Sequence, residues 1–118
     1  LLIWQAFGKY IHPDKIARKG ITKLGLADID AAALRGNKIK LIAQADDGPE
    51  GVEASVAPRE VPADSFLGRC AGEYNAVQLD CDMAGPIFLM GKGAGPRPTG
   101  SAVVGDIISI ARDMRSGV

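Results

Sequence analysis

The chain has 118 residues and a formal net charge of zero, from fourteen Lys+Arg and fourteen Asp+Glu. That is about one domain in length, and it lacks the basic excess of a nucleic-acid-binding surface. Apolar residues make up 47% and charged residues 24%, a globular rather than disordered composition, and no apolar run approaches the ~18 residues of a membrane span.

The chain opens on Leu1-Leu2-Ile3-Trp4-Gln5-Ala6-Phe7, without a Met. Leu2, Ile3, Ala6 and Phe7 fall at helical spacing, and Gly8 is a natural stop. The segment reads as the second half of a helix, so the chain is expected to be a piece of a longer protein. Residues 9–27 hold Pro13, Gly20 and Gly25 and read as an irregular connection. His12 stands there in a turn, where a surface or capping role is expected. Asp28 is the expected N-cap of a short helix over residues 29–35, with Gly36 just past its end.

In residues 38–45, Ile39, Leu41, Ala43 and Ala45 alternate with Lys38, Lys40 and Gln44, the pattern of a half-buried strand. Residues 46–51 are turn-forming, and Val52 to Val56 alternate again. The two runs make a hairpin in which Glu53 is expected to face a lysine. Residues 58–72 carry Pro58 and Pro62 and read as a crossing loop. A third strand is expected over 73–81, with Val77, Leu79 and Cys81 on one face, and a fourth over 86–90. A glycine loop leads to a final helix over about 99–112, in which Asp106 is expected to be solvated. The expected fold is one α+β domain over residues 1–118, a mostly antiparallel or mixed β-sheet covered by helices. Its element order is helix, hairpin, loop, hairpin, helix.

Cys70 and Cys81 have neither a CxxC nor a zinc-site spacing, and reduced thiols are expected. A ligand set of Cys70, Cys81, His12 and Asp80 or Asp82 is too scattered for a metal centre, so no metal is expected. One histidine placed in a turn supplies no nucleophile–base constellation, and no catalytic residue is assigned.

The segment with chemistry is Gly91-Lys92-Gly93-Ala94-Gly95-Pro96-Arg97-Pro98-Thr99-Gly100-Ser101. Glycines admit close backbone approach, a helix start suits an anion, and Lys92 and Arg97 add positive charge. It matches neither phosphate fingerprint. Pro96 and Pro98 stand where the dinucleotide pattern needs its third glycine, and Gly93 takes the Ser/Thr place of the Walker pattern. From the pattern alone, a ligand-free strand-to-helix connection and a ligand contact remain equally open.

The order of motifs resembles the carboxy-terminal part of homoserine dehydrogenase. The resemblance rests on Arg18-Lys19-Gly20-Ile21-Thr22 with Asp28-Ile29, then Gly36 with Ile39-Lys40-Leu41-Ile42-Ala43. Tyr74-Asn75-Ala76-Val77 follows, then Gly91-Lys92-Gly93-Ala94-Gly95 running into Pro98-Thr99-Gly100-Ser101-Ala102-Val103 and Asp106-Ile107. Gly100 replaces the family's usual alanine. The resemblance implies an enzyme that reduces L-aspartate 4-semialdehyde to L-homoserine with NAD or NADP as cofactor, in the cytoplasm and as a homodimer. It implies that this chain is the later part of the substrate domain. The nucleotide-binding domain and the catalytic lysine then lie outside it, and Lys9, Lys15 and Lys19 are not catalytic. Gly95 occupies the position of the family glycine that contacts the cofactor. The alternative is a non-catalytic dimerisation or binding module with the same fold.

Overall fold

A computed structural model describes residues 1–117. The chain divides into two compact units, the first Leu1–Gly68 and the second beginning at Arg69.

In the first unit, helix α1 (Leu2–Phe7) stops at Gly8, whose φ of 64° is left-handed and whose N–H donates to Trp4 O at 2.8 Å. Only glycine takes that conformation without a Cβ penalty. The connection after it is more ordered than expected. It holds a 3-10 turn, Pro13–Lys15, and a two-residue strand β1, Ala17–Arg18. His12 caps the turn, its Nδ1 accepting from Asp14 N at 3.3 Å.

Helix α2 spans Leu26–Leu34, so it begins ahead of the expected residue 29. Gly25 is the N-cap, not Asp28. Asp28 is the third helical residue and reaches back to accept the Gly25 N–H at 2.9 Å. The acidic residue marks the helix start by accepting backward, as the third residue of a capping box does, while Gly25 has no side chain to supply the other half.

Strands β2 (Asn37–Gly48) and β3 (Gly51–Pro62) pair antiparallel along their whole length, joined by Pro49-Glu50. Glu53 opposes Asp46 rather than a lysine; Lys38 and Lys40 lie opposite Val61 and Arg59. The expected loop from residue 58 is instead strand as far as Pro62. A proline inside a strand needs its missing N–H to face an unpaired edge. Val56 directs its carbonyl away from β2, accepting from Lys19 N at 2.8 Å. Backbone polar groups alternate sides along a strand, so Pro58 faces the same way. The pairing with β1 stops at Val56, so no ladder bond is asked of Pro58. β1 runs parallel to β3, giving a mixed sheet of order β1-β3-β2.

A short helix, α3 (Phe66–Arg69), follows. Ser65 Oγ donates to Pro62 O at 2.7 Å and accepts from Gly68 N at 3.1 Å, and Lys38 Nζ donates to Gly68 O at 3.2 Å. Arg35 at the end of α2 is tied to Glu60 on β3, whose carboxylate also accepts from Asn37 Nδ2 at 3.1 Å. The Arg35 hydrogen bond, then that of Asn37, holds the Glu60 carboxyl below its ordinary range.

In the second unit, β4 (Tyr74–Cys81) and β5 (Gly85–Lys92) form an antiparallel pair, and α4 spans Pro96–Ser116. The α+β class and the order of hairpins and helices are as expected. The strands form two separate sheets, of three and two strands. Among the described residues only Ala32 and Gly68 are buried. Val103, Val104, Ile107, Ile108 and Ile110 of α4 are 46–60% exposed. Among the described residues no helix is long and apolar enough to cross a membrane.

Candidate functional site

The glycine loop is set by the strands on which it stands. Tyr74 opposes Lys92 at the end of the β4–β5 ladder, and the pairing is prolonged by Gly93 N donating to Glu73 O at 3.0 Å. Glu73 Oε1 and Lys92 Nζ are 2.6 Å apart, and the ammonium lies 5.8 Å from the centre of the Tyr74 ring. That distance is within cation–π range. A Cβ on Gly93 would overlap the Asn75 side-chain amide, so this position needs glycine for space unless Asn75 moves.

Gly95 needs glycine for a different reason. It is the N-cap of α4, with φ 111° and ψ 156°, a backbone conformation that L side chains rarely adopt. Its carbonyl accepts the N–H of Thr99 at 3.1 Å, so α4 begins at Pro96 rather than at the expected residue 99. The prolines that argued against a dinucleotide fingerprint sit in the first helical turn, where a missing N–H breaks no intrahelical bond. They also remove two of the donors a helix start ordinarily turns toward an anion. A Cβ on Gly95 would stand 3.6 Å from Pro98 Cδ and 3.7 Å from Glu73 Oε2, ordinary contact distances. The loop therefore presents bare backbone beside a carboxylate, and Lys92 is already paired with that carboxylate. Asp106 is exposed on α4.

The other sequence candidates lie elsewhere. Lys9 Nζ donates to the Asp47 carboxylate at 2.6 and 2.8 Å, at the edge of an open hollow of about 880 Å³ that His12, Lys15 and Glu53 also line. A second hollow of about 520 Å³ lies among Ile21, Leu24, Ile29, Ile39, Leu41 and Pro58. Among the described residues no group of three His, Cys, Asp or Glu side chains is close enough to hold a metal ion. Neither cysteine is in a disulfide, and Cys70 Sγ donates to Tyr74 O at 3.1 Å. Sequence reasoning missed the Glu73–Lys92 pair. Its signal was the placement of Glu73 at the start of one run of the second hairpin and of Lys92 just past the other.

Residues 1–108 match the family model described as homoserine dehydrogenase. The chain belongs to the homoserine dehydrogenase family. It is 39% identical over 113 residues to homoserine dehydrogenase of Mycobacterium leprae, and 40% identical over 107 residues to that of Neisseria gonorrhoeae. Those alignments cover 92% and 91% of this chain but 26% and 25% of the relatives. The chain thus spans about a quarter of the length of the curated homoserine dehydrogenases it matches. Among solved structures, it resembles homoserine dehydrogenase from Thiobacillus denitrificans with a TM-score of 0.87 and 33% identity, covering 98% of this chain and 27% of that one. Homoserine dehydrogenase of S. aureus at pH 6.0 gives 0.82 and 35%, with 97% and 29% covered. The chain is therefore similar to a portion, about a quarter in length, of these homoserine dehydrogenases.

Proposed function

We propose that this chain is the later part of the substrate domain of a cytoplasmic homoserine dehydrogenase that reduces L-aspartate 4-semialdehyde to L-homoserine. The observation that carries this reading is the family match over residues 1–108, which takes in the glycine loop and most of α4. NAD(P)H supplies the hydride for that reduction. The loop suits such a cofactor: Gly95 is half-buried main chain with no side chain of its own, at a φ of 111° that excludes most other residues. The role of Gly95 in this reading is to contact the cofactor, and the rest of the loop shapes the approach. In this reading the proton transfer belongs to residues outside this chain. Lys9 is engaged by Asp47, which agrees with keeping it out of catalysis. A homodimer formed through the sheet completes the reading. Strand β2 is an edge of its sheet, and β4 and β5 each have one unpaired edge, the kind of surface that proteins cover by pairing.

The test is Gly95→Val in the full-length enzyme that carries this chain. The substitution raises the KM for NAD(P)H more than that for aspartate semialdehyde. A Cβ at positive φ costs about 1–2 kcal/mol, so melting is measured beside the kinetics. A folded variant with an unchanged cofactor KM makes Gly95 a turn residue only and removes it from the site.

A further inference from the structure

We propose that Glu73 is a positioning residue for the glycine loop, bracing it against β4 through Lys92 and Gly93. The inference rests on the reading that the loop contacts the cofactor at Gly95, and adds the group that sets the loop's path. Glu73 holds the loop at two points. Its carbonyl accepts the N–H of Gly93 at 3.0 Å, and its carboxylate oxygen Oε1 meets Lys92 Nζ at 2.6 Å. The main-chain bond survives any substitution at 73, whereas the carboxylate bond does not. The second oxygen, Oε2, lies on the Gly95 side, 3.7 Å from where a Cβ on that glycine would stand.

A further contact from the same strand acts on the loop independently. The Asn75 amide fills the space beside Gly93, so residues 73 and 75 both border the loop. Lys92 is flexible by itself. Pairing with Glu73 and proximity to the Tyr74 ring hold its ammonium within the loop. Both charged side chains are about half exposed, at 47% and 50%. The pair therefore tunes the loop rather than holding the fold, and it is open to screening by salt.

The experiment is steady-state kinetics of the full-length enzyme at low and high salt, with Glu73→Gln, Glu73→Lys, and Glu73→Lys combined with Lys92→Glu. Glu73→Gln raises the KM for NAD(P)H about two- to fivefold at low salt, the range an exposed ion pair supplies. It leaves kcat and the KM for aspartate semialdehyde unchanged, and its difference from the parent enzyme shrinks at high salt. Glu73→Lys raises the cofactor KM further, and the charge-swapped double variant recovers most of it. A cofactor KM that is unchanged or lower in folded Glu73→Gln overturns the proposal. So does a charge swap that restores nothing. Gly95→Val measured in the same series separates the two readings. If it raises the cofactor KM while Glu73→Gln does not, the brace alone fails. If Gly95→Val has no effect, the cofactor contact itself fails and the brace with it.

Discussion

Gly68→Ala is expected to be among the most damaging single-methyl additions in this chain. Gly68 is buried, and a Cβ built on it overlaps the carbonyl oxygen of Pro62 and stands 3.0 Å from the carbonyl carbon and oxygen of Ala63. These are backbone atoms, so no side-chain rotation relieves the overlap. Pro62 O also accepts from Ser65 N at 3.0 Å and Ser65 Oγ at 2.7 Å, and displacing it weakens both bonds. Overpacking costs about 1–3 kcal/mol, and two hydrogen bonds are worth about 0.5–1.5 kcal/mol each. The better helix propensity of alanine returns about 1 kcal/mol. The net loss is about 3 kcal/mol, within a range of about 1–5. Hydrogen exchange in the full-length protein reads it locally, at the Ala63 amide, which donates to Gly36 O at 2.9 Å. Its protection drops about a hundredfold, the factor that ~3 kcal/mol implies. Unchanged protection in the alanine variant refutes the close approach of α3 to the end of β3.

Three further outcomes are expected. Glu60 titrates below its ordinary range, so its contribution is complete above the usual carboxylate pKa of about 4.3 and is lost as pH falls through its folded value. Arg35, raised by the same partner, stays protonated throughout, so Glu60→Gln flattens the acid limb of a stability-against-pH curve for this hairpin, and an unaltered limb refutes the link. The purified 118-residue chain shows no aspartate-semialdehyde-dependent oxidation of NAD(P)H, whereas clear turnover demands a catalytic group among its own residues. Sedimentation at micromolar concentration shows a dimer or larger species, because the open strand edges pair; a monomer that melts cooperatively contradicts this.

Much of this fold was legible where a local signal acts alone. Gly8 ends α1 because no other residue takes its φ cheaply, and the alternation around Ile39 and Leu41 marked β2 without any tertiary knowledge. The failures share a cause. Pro58 marks a loop unless one knows which edge of β3 is unpaired, and that depends on β1, some forty residues earlier in the chain. β1 itself has two residues and no periodicity to detect; its parallel pairing is a tertiary event. Asp28 was assigned to the right helix end but the wrong cap position, because a lone acidic residue does not say whether it accepts forward or backward. In the loop, the need for glycine at 95 was visible as composition. The carboxylate of Glu73 beside it was not, since only the β4–β5 register brings residues 73 and 92 together.

Ala32 is the one buried apolar side chain among the described residues. It follows that mutational sensitivity in this stretch depends on what surrounds it. The hairpins are local structures of low contact order, able to form early. The apolar face of α4, by contrast, contributes free energy only when another surface lies against it. A substitution scan of the separate chain would therefore report turn and strand propensities and record Ile107→Ser as nearly silent. In a longer protein that covers α4, the same scan would report packing and find that site costly. The covalent segment and the thermodynamic unit are different objects here, and tolerance measured on one does not transfer to the other.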